Sequence, residues 1–235
     1  MKTFWLALGF IVIMLYATAA SAELLVLFDE DNKTEAGKGD FVGLFSNHDA
    51  ASTVTVTKDE AFLGKVSVFT TPAQSYNSNM AGWNFPIREN PGKGEYRYIY
   101  FAWKADGGTG VMIQFPDNGG WGAVTAPCVK PTAVGTRRYI AGTNVTGWTG
   151  ICVSDKIPKE WTVVQRDLFD DFGEWTMTGL ALTPFSDGGK GDYYDAIMLA
   201  AKENEFPVLA VDAKGKIAVT WGNLKANRII GESHR

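Results

Sequence analysis

The stretch YRYIYFAWKADGGTGVMIQF, residues 96–115, decides the predicted fold. It contains two runs in which every second side chain is apolar, and these side chains are Ile99, Phe101, Trp103, Val111, Ile113 and Phe115. Successive side chains of a β-strand point to opposite faces, so each run predicts a strand with one buried face. The glycine-rich turn ADGGTG between the two runs favours an antiparallel hairpin.

The opposite face of the first run carries three tyrosines, Tyr96, Tyr98 and Tyr100. Two interpretations of this tyrosine row remain open. The row forms either a second packed layer behind the sheet or an exposed surface that binds a ligand.

The stretch GDYYDAIMLA, residues 191–200, predicts a buried strand with a carboxylate in its middle. Asp195 lies there among apolar and aromatic neighbours, and a carboxylate in such surroundings is costly to desolvate unless it is paired. We therefore expect Asp195 either to face solvent or to meet a partner. That partner is a metal ion, an arginine such as Arg97 or Arg166, or a set of backbone N–H groups.

Short runs of this kind recur along the chain, separated by clusters of Gly, Pro, Asn and Asp. The predicted strands are residues 24–28, 52–57, 65–70, 96–105, 110–115, 137–141, 162–167, 176–184 and 192–200. Residues 166–173 are the one stretch that suggests a helical turn. Many short strands with glycine-rich turns predict an all-β fold, an antiparallel β-sandwich of the jelly-roll type. We place this domain at residues 23–201.

Residues 1–22 have the pattern of an export signal. Lys2 precedes an apolar run over residues 4–16, and the small residues 20–22 match a cleavage site. A retained membrane anchor is the alternative, but the run is shorter than the roughly 20 residues that a spanning helix needs. We expect cleavage after Ala22, no membrane span in the rest of the chain, and a periplasmic or extracellular protein.

Residues 202–235 differ in character from the predicted domain, because two short apolar runs flank DAKGK and the end is basic. We interpret them as a C-terminal extension or hairpin arm. The arm either packs on its own domain or adds a strand to a neighbour and docks a partner.

Charge and composition exclude several classes of function. The net charge of −4 without a basic stripe argues against nucleic-acid binding. The two histidines, His48 and His234, belong to no recognisable catalytic motif, so we do not expect an enzyme. The two cysteines, Cys128 and Cys152, form a disulfide or remain separate buried thiols.

Two stretches, residues 94–115 and residues 157–199, resemble exported jelly-roll modules of the galactose-binding and carbohydrate-binding type. They are similar in particular to domains of secreted planctomycete-type proteins, in which a W-T-x-V-x-R-D-L-F segment precedes a closing strand of the form aromatic-Asp-x-Ile. The matching segments here are WTVVQRDLF, residues 161–169, and YDAI, residues 194–197. The ending GKIAVTWGNLK also resembles tails of such proteins.

The resemblance implies a structural calcium ion. In carbohydrate-binding jelly rolls the closing strand often carries an aspartate that helps to hold calcium near the start of the chain, and Asp195 matches that position. Asp29 and Asp31, which follow the first predicted strand, would add further oxygen ligands of the kind that calcium prefers. A hydrogen-bonded Asp195 without a metal is the alternative.

The resemblance also implies a sugar-binding surface of flat aromatic rings. The candidates are Trp83, Trp121 and Trp148, which lie beside glycines in predicted loops, and the row Tyr96, Tyr98 and Tyr100. The alternative is that the loop tryptophans fold back as lids on the sandwich ends. The implied function is non-catalytic binding of a carbohydrate outside the cytoplasmic membrane. The competing hypothesis is a structural or accessory subunit that assembles, through its C-terminal arm, with itself or with a larger exported complex such as a redox complex.

Overall fold

The computed structural model describes residues 24–29, 34, 40–122, 137–143, 147–185 and 189–206, together with two short strands, β15 (Ala210–Val211) and β16 (Ile217–Ala218). Two six-stranded sheets face each other across one core, so the predicted all-β sandwich is confirmed. The predicted export signal at residues 1–22 lies outside the described residues. No helix among the described residues is long and apolar enough to cross a membrane.

The first sheet, sheet I, contains both ends of the domain. Its strands are β1 (Leu24–Phe28), β3 (Val54–Thr57), β4 (Ser67–Thr70), β7 (Tyr98–Asp106), β11 (Thr162–Asp167) and β14 (Gly191–Ala200). They follow the order β11-β7-β14-β4-β3, and all pairs are antiparallel. Strands β4 and β1 share one side of β14, since β4 pairs with its first half and β1 with its second half.

The second sheet, sheet II, faces sheet I. Its strands are β2 (Asn47–Asp49), β5 (Gln74–Asn77), β8 (Gly110–Gln114), β9 (Arg138–Gly142), β10 (Ile151–Ser154) and β13 (Leu180–Phe185). They follow the order β10-β9-β8-β13-β5-β2, and only the β9–β10 pair is parallel.

Smaller elements close the ends of the sandwich. They are the strand pair β6 (Phe85–Ile87) and β12 (Trp175–Met177), the helix α1 (Leu168–Phe172), and the 3-10 turns Val42–Leu44 and Glu203–Glu205. The predicted helical turn is therefore confirmed, and it is short because Asp167 caps its start and Gly173 ends it.

The core lies between the sheets and contains the alternating residues of the predicted strands. Ile99, Phe101 and Trp103 of β7 are fully buried there, and Val111 and Ile113 of β8 meet them from sheet II. The period-two pattern therefore identified the buried faces correctly.

The predicted hairpin of β7 and β8 is wrong. Strand β7 pairs with β11 and β14 in sheet I, whereas β8 pairs with β9 and β13 in sheet II. The turn at residues 107–109 carries the chain from one sheet to the other. Alternation shows which face of a strand is buried, but two strands that face each other across a core have the same pattern as two strands that are hydrogen-bonded side by side.

The predicted strand at residues 176–184 divides into β12 and β13. Gly179 lies at the break, where a Cβ atom would come within 2.0 Å of the Asn77 carbonyl oxygen. Only glycine allows the chain to approach β5 this closely before it enters sheet II.

The tyrosine row is divided between two layers: Tyr96 packs in the core between the sheets, whereas Tyr98 and Tyr100 belong to a second packed layer. Tyr100 is buried on the outer face of sheet I, where the ring of Phe206 lies 5.5 Å from its own ring. Residues 201–206 thus cover part of this face, and Phe62 and Leu63 cover a neighbouring part. Most of the predicted arm lies outside the described residues.

Backbone N–H groups compensate for the burial of Asp195 by donating hydrogen bonds to its carboxylate. The residue is fully buried, and its Oδ2 accepts hydrogen bonds from the N–H groups of Phe62 (2.8 Å) and Leu63 (3.0 Å). Its Oδ1 accepts from the N–H of Ala196 at 2.7 Å. Asp195 lies where the neighbour of β14 changes from β4 to β1, so the carboxylate supplies acceptors at a point where strand pairing is interrupted.

Burial nevertheless dominates the ionisation of this group. Desolvation raises the pKa of Asp195 from 3.8 to about 7, although the three N–H donors oppose the rise, and the nearby Asp29 carboxylate adds to it. Burial also raises the pKa of Asp192 on the same strand, with a further contribution from Asp106. The folded chain therefore holds both protons more tightly than the unfolded chain does.

We expect the free energy of unfolding to fall as the pH rises from 3.8 to about 7 in calcium-free buffer. The stabilising contribution of Asp195 is complete below its unfolded pKa and is lost as the folded pKa is passed, a change of about 4 kcal/mol. Denaturant titrations at several pH values measure this slope.

The variants Asp195→Asn and Asp192→Asn distinguish the contributions of the two acids to the pH dependence of the free energy of unfolding. Asp195→Asn should reduce the pH slope and, because its amide nitrogen cannot accept an N–H bond, should also be less stable at low pH. Asp192→Asn should leave the Asp195 part of the slope in place. An Asp195→Asn variant with the same slope as the wild type would contradict the raised pKa.

Candidate functional site

A row of polar side chains lies on the outer face of sheet II. Strands β8, β9 and β13 turn alternate residues such as Ile113, Tyr139 and Leu182 to the core. The positions between them, Gln114, Arg138 and Thr183, therefore point away from the core, and Gln74 of β5 is hydrogen-bonded to Thr183 on the same side. All four side chains are buried. Buried polar groups of this kind need hydrogen-bond partners, and these residues provide them for one another.

Gln114 is the centre of this polar row. Its Nε2 donates to Gln74 Oε1 and, at 3.0 Å, to Thr183 Oγ1, while its Oε1 accepts from Arg138 Nε at 2.6 Å. The Thr183 hydroxyl also donates to Gln74 Oε1 at 2.9 Å. Both ends of the Gln114 amide are therefore occupied, which fixes its orientation.

Arg138 connects the polar row to two tryptophan-bearing segments. Its Nη2 donates to the carbonyl oxygen of Trp121 at 2.8 Å, and its Nη1 donates to the carbonyl oxygen of Thr149 at 3.1 Å. Its guanidinium also lies 5.5 Å from the centre of the Trp148 ring, within cation–π range. Burial lowers the pKa of Arg138 to about 10, which still leaves it charged at neutral pH.

Tyr76 and Asp49 extend the site towards the edge of the sheet. The Tyr76 ring packs edge-on against Trp121, with 5.8 Å between ring centres. The charge of Asp49 is the main cause that raises the pKa of Tyr76, and a hydrogen bond between the two side chains contributes. Asp49 and Asn47 on β2 are exposed, so polar groups are available beside the ring.

We call the set Tyr76, Trp121 and Trp148 the tryptophan face. All three rings are half-buried, and the polar row lies beneath them on the outer face of sheet II. The rings offer aromatic surface, and the exposed Asn47 and Asp49 beside Tyr76 offer hydrogen-bonding groups. An uncharged, hydroxyl-rich ligand requires both, because its apolar faces stack on rings while its hydroxyls need partners.

The structure places the other predicted binding residues elsewhere. Trp83 and Tyr96 are each only 4% exposed and pack in the core, where both contact Phe85. Tyr100 is covered by Phe206. Tyr98 is half-buried beside Arg97 on sheet I, away from the tryptophan face. We therefore remove these four from the candidate site and keep Trp121 and Trp148.

Sequence reasoning missed the polar row and Tyr76. The strand GVMIQF did place Gln114 on the face opposite Val111 and Ile113, and that was the available signal. Strand β5 was not predicted, because QSYN has no apolar alternation, so Gln74 and Tyr76 had no assigned face.

The predicted calcium ligands are only partly described. Asp29 is buried near Asp195, whereas Asp31 lies outside the described residues. Among the described residues no group of three or more His, Cys, Asp or Glu side chains is arranged to hold a metal ion. The pair Asp29 and Asp195 fits a cation in one respect, since a cation would relieve the repulsion between two carboxylates. Asp195 itself does not require a cation, because three N–H groups already donate to its carboxylate.

Two smaller predictions can be placed. Cys152 is half-buried on β10, and Cys128 lies outside the described residues, so the disulfide between them stays a prediction. His48 lies on β2 with its Nδ1 2.9 Å from Ser75 Oγ. Because Ser75 is fully buried, its hydroxyl cannot meet a substrate, and we interpret the pair as a link between neighbouring strands.

No family model matches the chain, and no curated protein matches it. Several solved structures are similar to it in fold, and three of them are carbohydrate-binding modules. A family 30 carbohydrate-binding module has 16% identity over 85% of this chain and 99% of its own, with a TM-score of 0.41. The family 22 xylan-binding domain from Paenibacillus barcinonensis has 15% identity over 78% and 98%, with a TM-score of 0.35. A family 29 module from Piromyces equi has 9% identity over 77% and 92%, with a TM-score of 0.33.

Proposed function

We propose that this protein is a non-catalytic, extracytoplasmic module that binds a carbohydrate at the tryptophan face. The observation that carries the proposal is the position of Arg138. One buried side chain donates to the backbone beside Trp121 and beside Trp148, and thereby holds both rings over the same sheet.

The chemistry of the face suits a pyranose ring. The apolar side of a sugar ring is flat and stacks on an aromatic ring, while its equatorial hydroxyls need donors and acceptors at the edge. Asn47 and Asp49 are exposed near Tyr76 and supply such groups. The polar row is buried and internally bonded, so its role is to position the rings and not to contact the ligand directly.

Preorganisation of the face favours tight binding. Gln114 and Arg138 have fixed hydrogen-bond partners, so the segments that carry Trp121 and Trp148 are tied to the sheet before a ligand arrives. A surface that is arranged in advance loses less entropy when it binds. A binding module is the function that this geometry supports best.

Replacing Trp121 or Trp148 by alanine should weaken glycan binding roughly tenfold, because each change removes one stacking ring worth about 1–2 kcal/mol. Affinity electrophoresis against neutral plant and bacterial polysaccharides, followed by titration of tryptophan fluorescence, measures the change. Trp161→Ala is the matched control, since Trp161 is also half-buried but lies on the outer face of sheet I.

Two outcomes would remove this proposal. One is an absence of binding by the wild type to the entire polysaccharide panel. The other is an equal loss of binding in Trp161→Ala and Trp121→Ala, which would place the ligand away from the tryptophan face.

A structural calcium ion at Asp29 and Asp195 remains a separate proposal. If it binds, calcium should raise the midpoint of thermal unfolding, and a chelator should lower it by mass action. Asp195→Asn should abolish the response, whereas Asp106→Asn, an exposed carboxylate at the other end of β7, should keep it. An unfolding midpoint that does not respond to calcium or chelator at pH 8, where Asp195 is ionised, would rule the ion out.

A further inference from the structure

A groove of about 410 Å³ runs along the side of the sandwich between the edge strands β10 and β11. Its floor is apolar and includes Trp103, Ile151 and Val164. Its rim carries hydrogen-bonding side chains, among them Ser154 and Thr162. The groove is separate from the tryptophan face, because none of Tyr76, Trp121 and Trp148 lines it.

The charged side chains that line the groove are both basic. They are Lys156 and Arg166, and among the described lining residues none is acidic. Lys156 is exposed and forms no ion pair with any described residue. The groove therefore presents one lysine that is available for an ion pair with a ligand.

Asp171 binds only part of the Arg166 guanidinium. Its Nε and Nη2 bind the two oxygens of Asp171, which also accepts a hydrogen bond from the Tyr139 hydroxyl. No hydrogen bond from the Arg166 Nη1 group to a described residue is found, and the side chain is 36% exposed. The buried Asp171 thus fixes the guanidinium, and the exposed part of the Arg166 side chain lines the groove.

Strand β11 has an open edge beside this groove. It is the last strand of sheet I, so no described strand pairs with its outer side. Natural proteins usually protect such an edge with charged residues, a proline or a bulge. In TVVQRD the charged residues are Arg166 and Asp167 at its end, so residues 162–165 carry none of these devices. Val163 on this strand is 39% exposed. Among the described residues it is the one large hydrophobic residue that is exposed to solvent.

We propose that this groove, the edge groove, docks an extended acidic peptide segment of a partner protein. The peptide would add a strand to β11, so that its backbone pairs with the open edge while alternate apolar side chains enter the groove. Its carboxylates would meet Lys156 and the exposed part of the Arg166 side chain. Complementary charge selects an acidic segment over a neutral or basic one.

A carbohydrate fits the edge groove less well than a peptide does. The one aromatic ring among the described lining residues belongs to Trp103, and Trp103 is fully buried, so it offers no face for stacking. An open strand edge, by contrast, offers regularly spaced N–H and C=O groups that match a peptide backbone.

The probe is a fluorescein-labelled six-residue peptide that alternates valine and glutamate, tested by fluorescence anisotropy beside the same peptide with lysine in place of glutamate. We expect the glutamate peptide to bind and the lysine peptide not to bind. Lys156→Glu should weaken binding of the glutamate peptide about tenfold. Lys159→Glu is the matched control, because Lys159 is exposed nearby but does not line the groove, and it should change little.

A second pair of variants tests the groove itself. Thr162→Trp places a large ring in the groove from an exposed position on β11 and should abolish peptide binding. Thr55→Trp, at an exposed position on the opposite edge strand β3, should leave it unchanged. Circular dichroism and tryptophan-face glycan binding check that each variant is folded.

Three results would overturn the proposal. The wild type fails to bind the glutamate peptide, or Lys159→Glu weakens binding as much as Lys156→Glu does. Alternatively, light scattering shows a dimer of the wild type that Thr162→Trp dissociates, in which case the occupant of the edge is a second copy of the chain.

Discussion

Strand β14 holds sheet I together, and the contacts of Asp195 allow it to do so. The strand pairs with β7 along one side and with two different strands, β4 and then β1, along the other. At the change of partner the ladder is interrupted, and Ala196 adopts a φ of 51°, a left-handed conformation that costs about 1–2 kcal/mol for a residue with a Cβ. The carboxylate of Asp195 accepts the N–H group of Ala196 at this interruption, together with the N–H groups of Phe62 and Leu63 from the connection between β3 and β4. A hydrophobic residue at this position would leave three buried donors without an acceptor.

Sheet II uses the same physical rule for a different purpose. Its outer face carries polar side chains that would be costly to bury alone, but Gln74, Gln114, Thr183 and Arg138 satisfy one another. The surplus donors of Arg138 then extend to the backbone beside Trp121 and Trp148. The segments that carry the two rings are thus attached to the sheet by hydrogen bonds from Arg138.

Much of the fold could be predicted from the sequence, because alternation reports burial directly. The core residues Ile99, Phe101 and Trp103 followed from it, and so did the strands β1 and β11 with their bounds. Alternation could not tell which sheet β7 and β8 belong to, and it gave no signal for the short polar strand β5. Of the candidate site, the sequence proposed Trp121 and Trp148 because large rings beside glycines in predicted loops are typical of binding surfaces, and the structure leaves both rings half-buried on the same side of sheet II. The same reasoning also proposed Trp83, but Trp83 packs against Phe41 and Phe85 in the core. The sequence around a loop tryptophan does not show whether its ring turns towards the core or towards solvent.

Phe206 and the tryptophan face lie on opposite sides of the sandwich. Phe206 lies over Tyr100 on the outer face of sheet I, while the tryptophan face lies on the outer face of sheet II. The thickness of the sandwich therefore separates Phe206 from the rings. Because the two surfaces share no contact, substitutions among the residues that cover sheet I remove none of the packing around the rings, and the two surfaces can change in sequence independently.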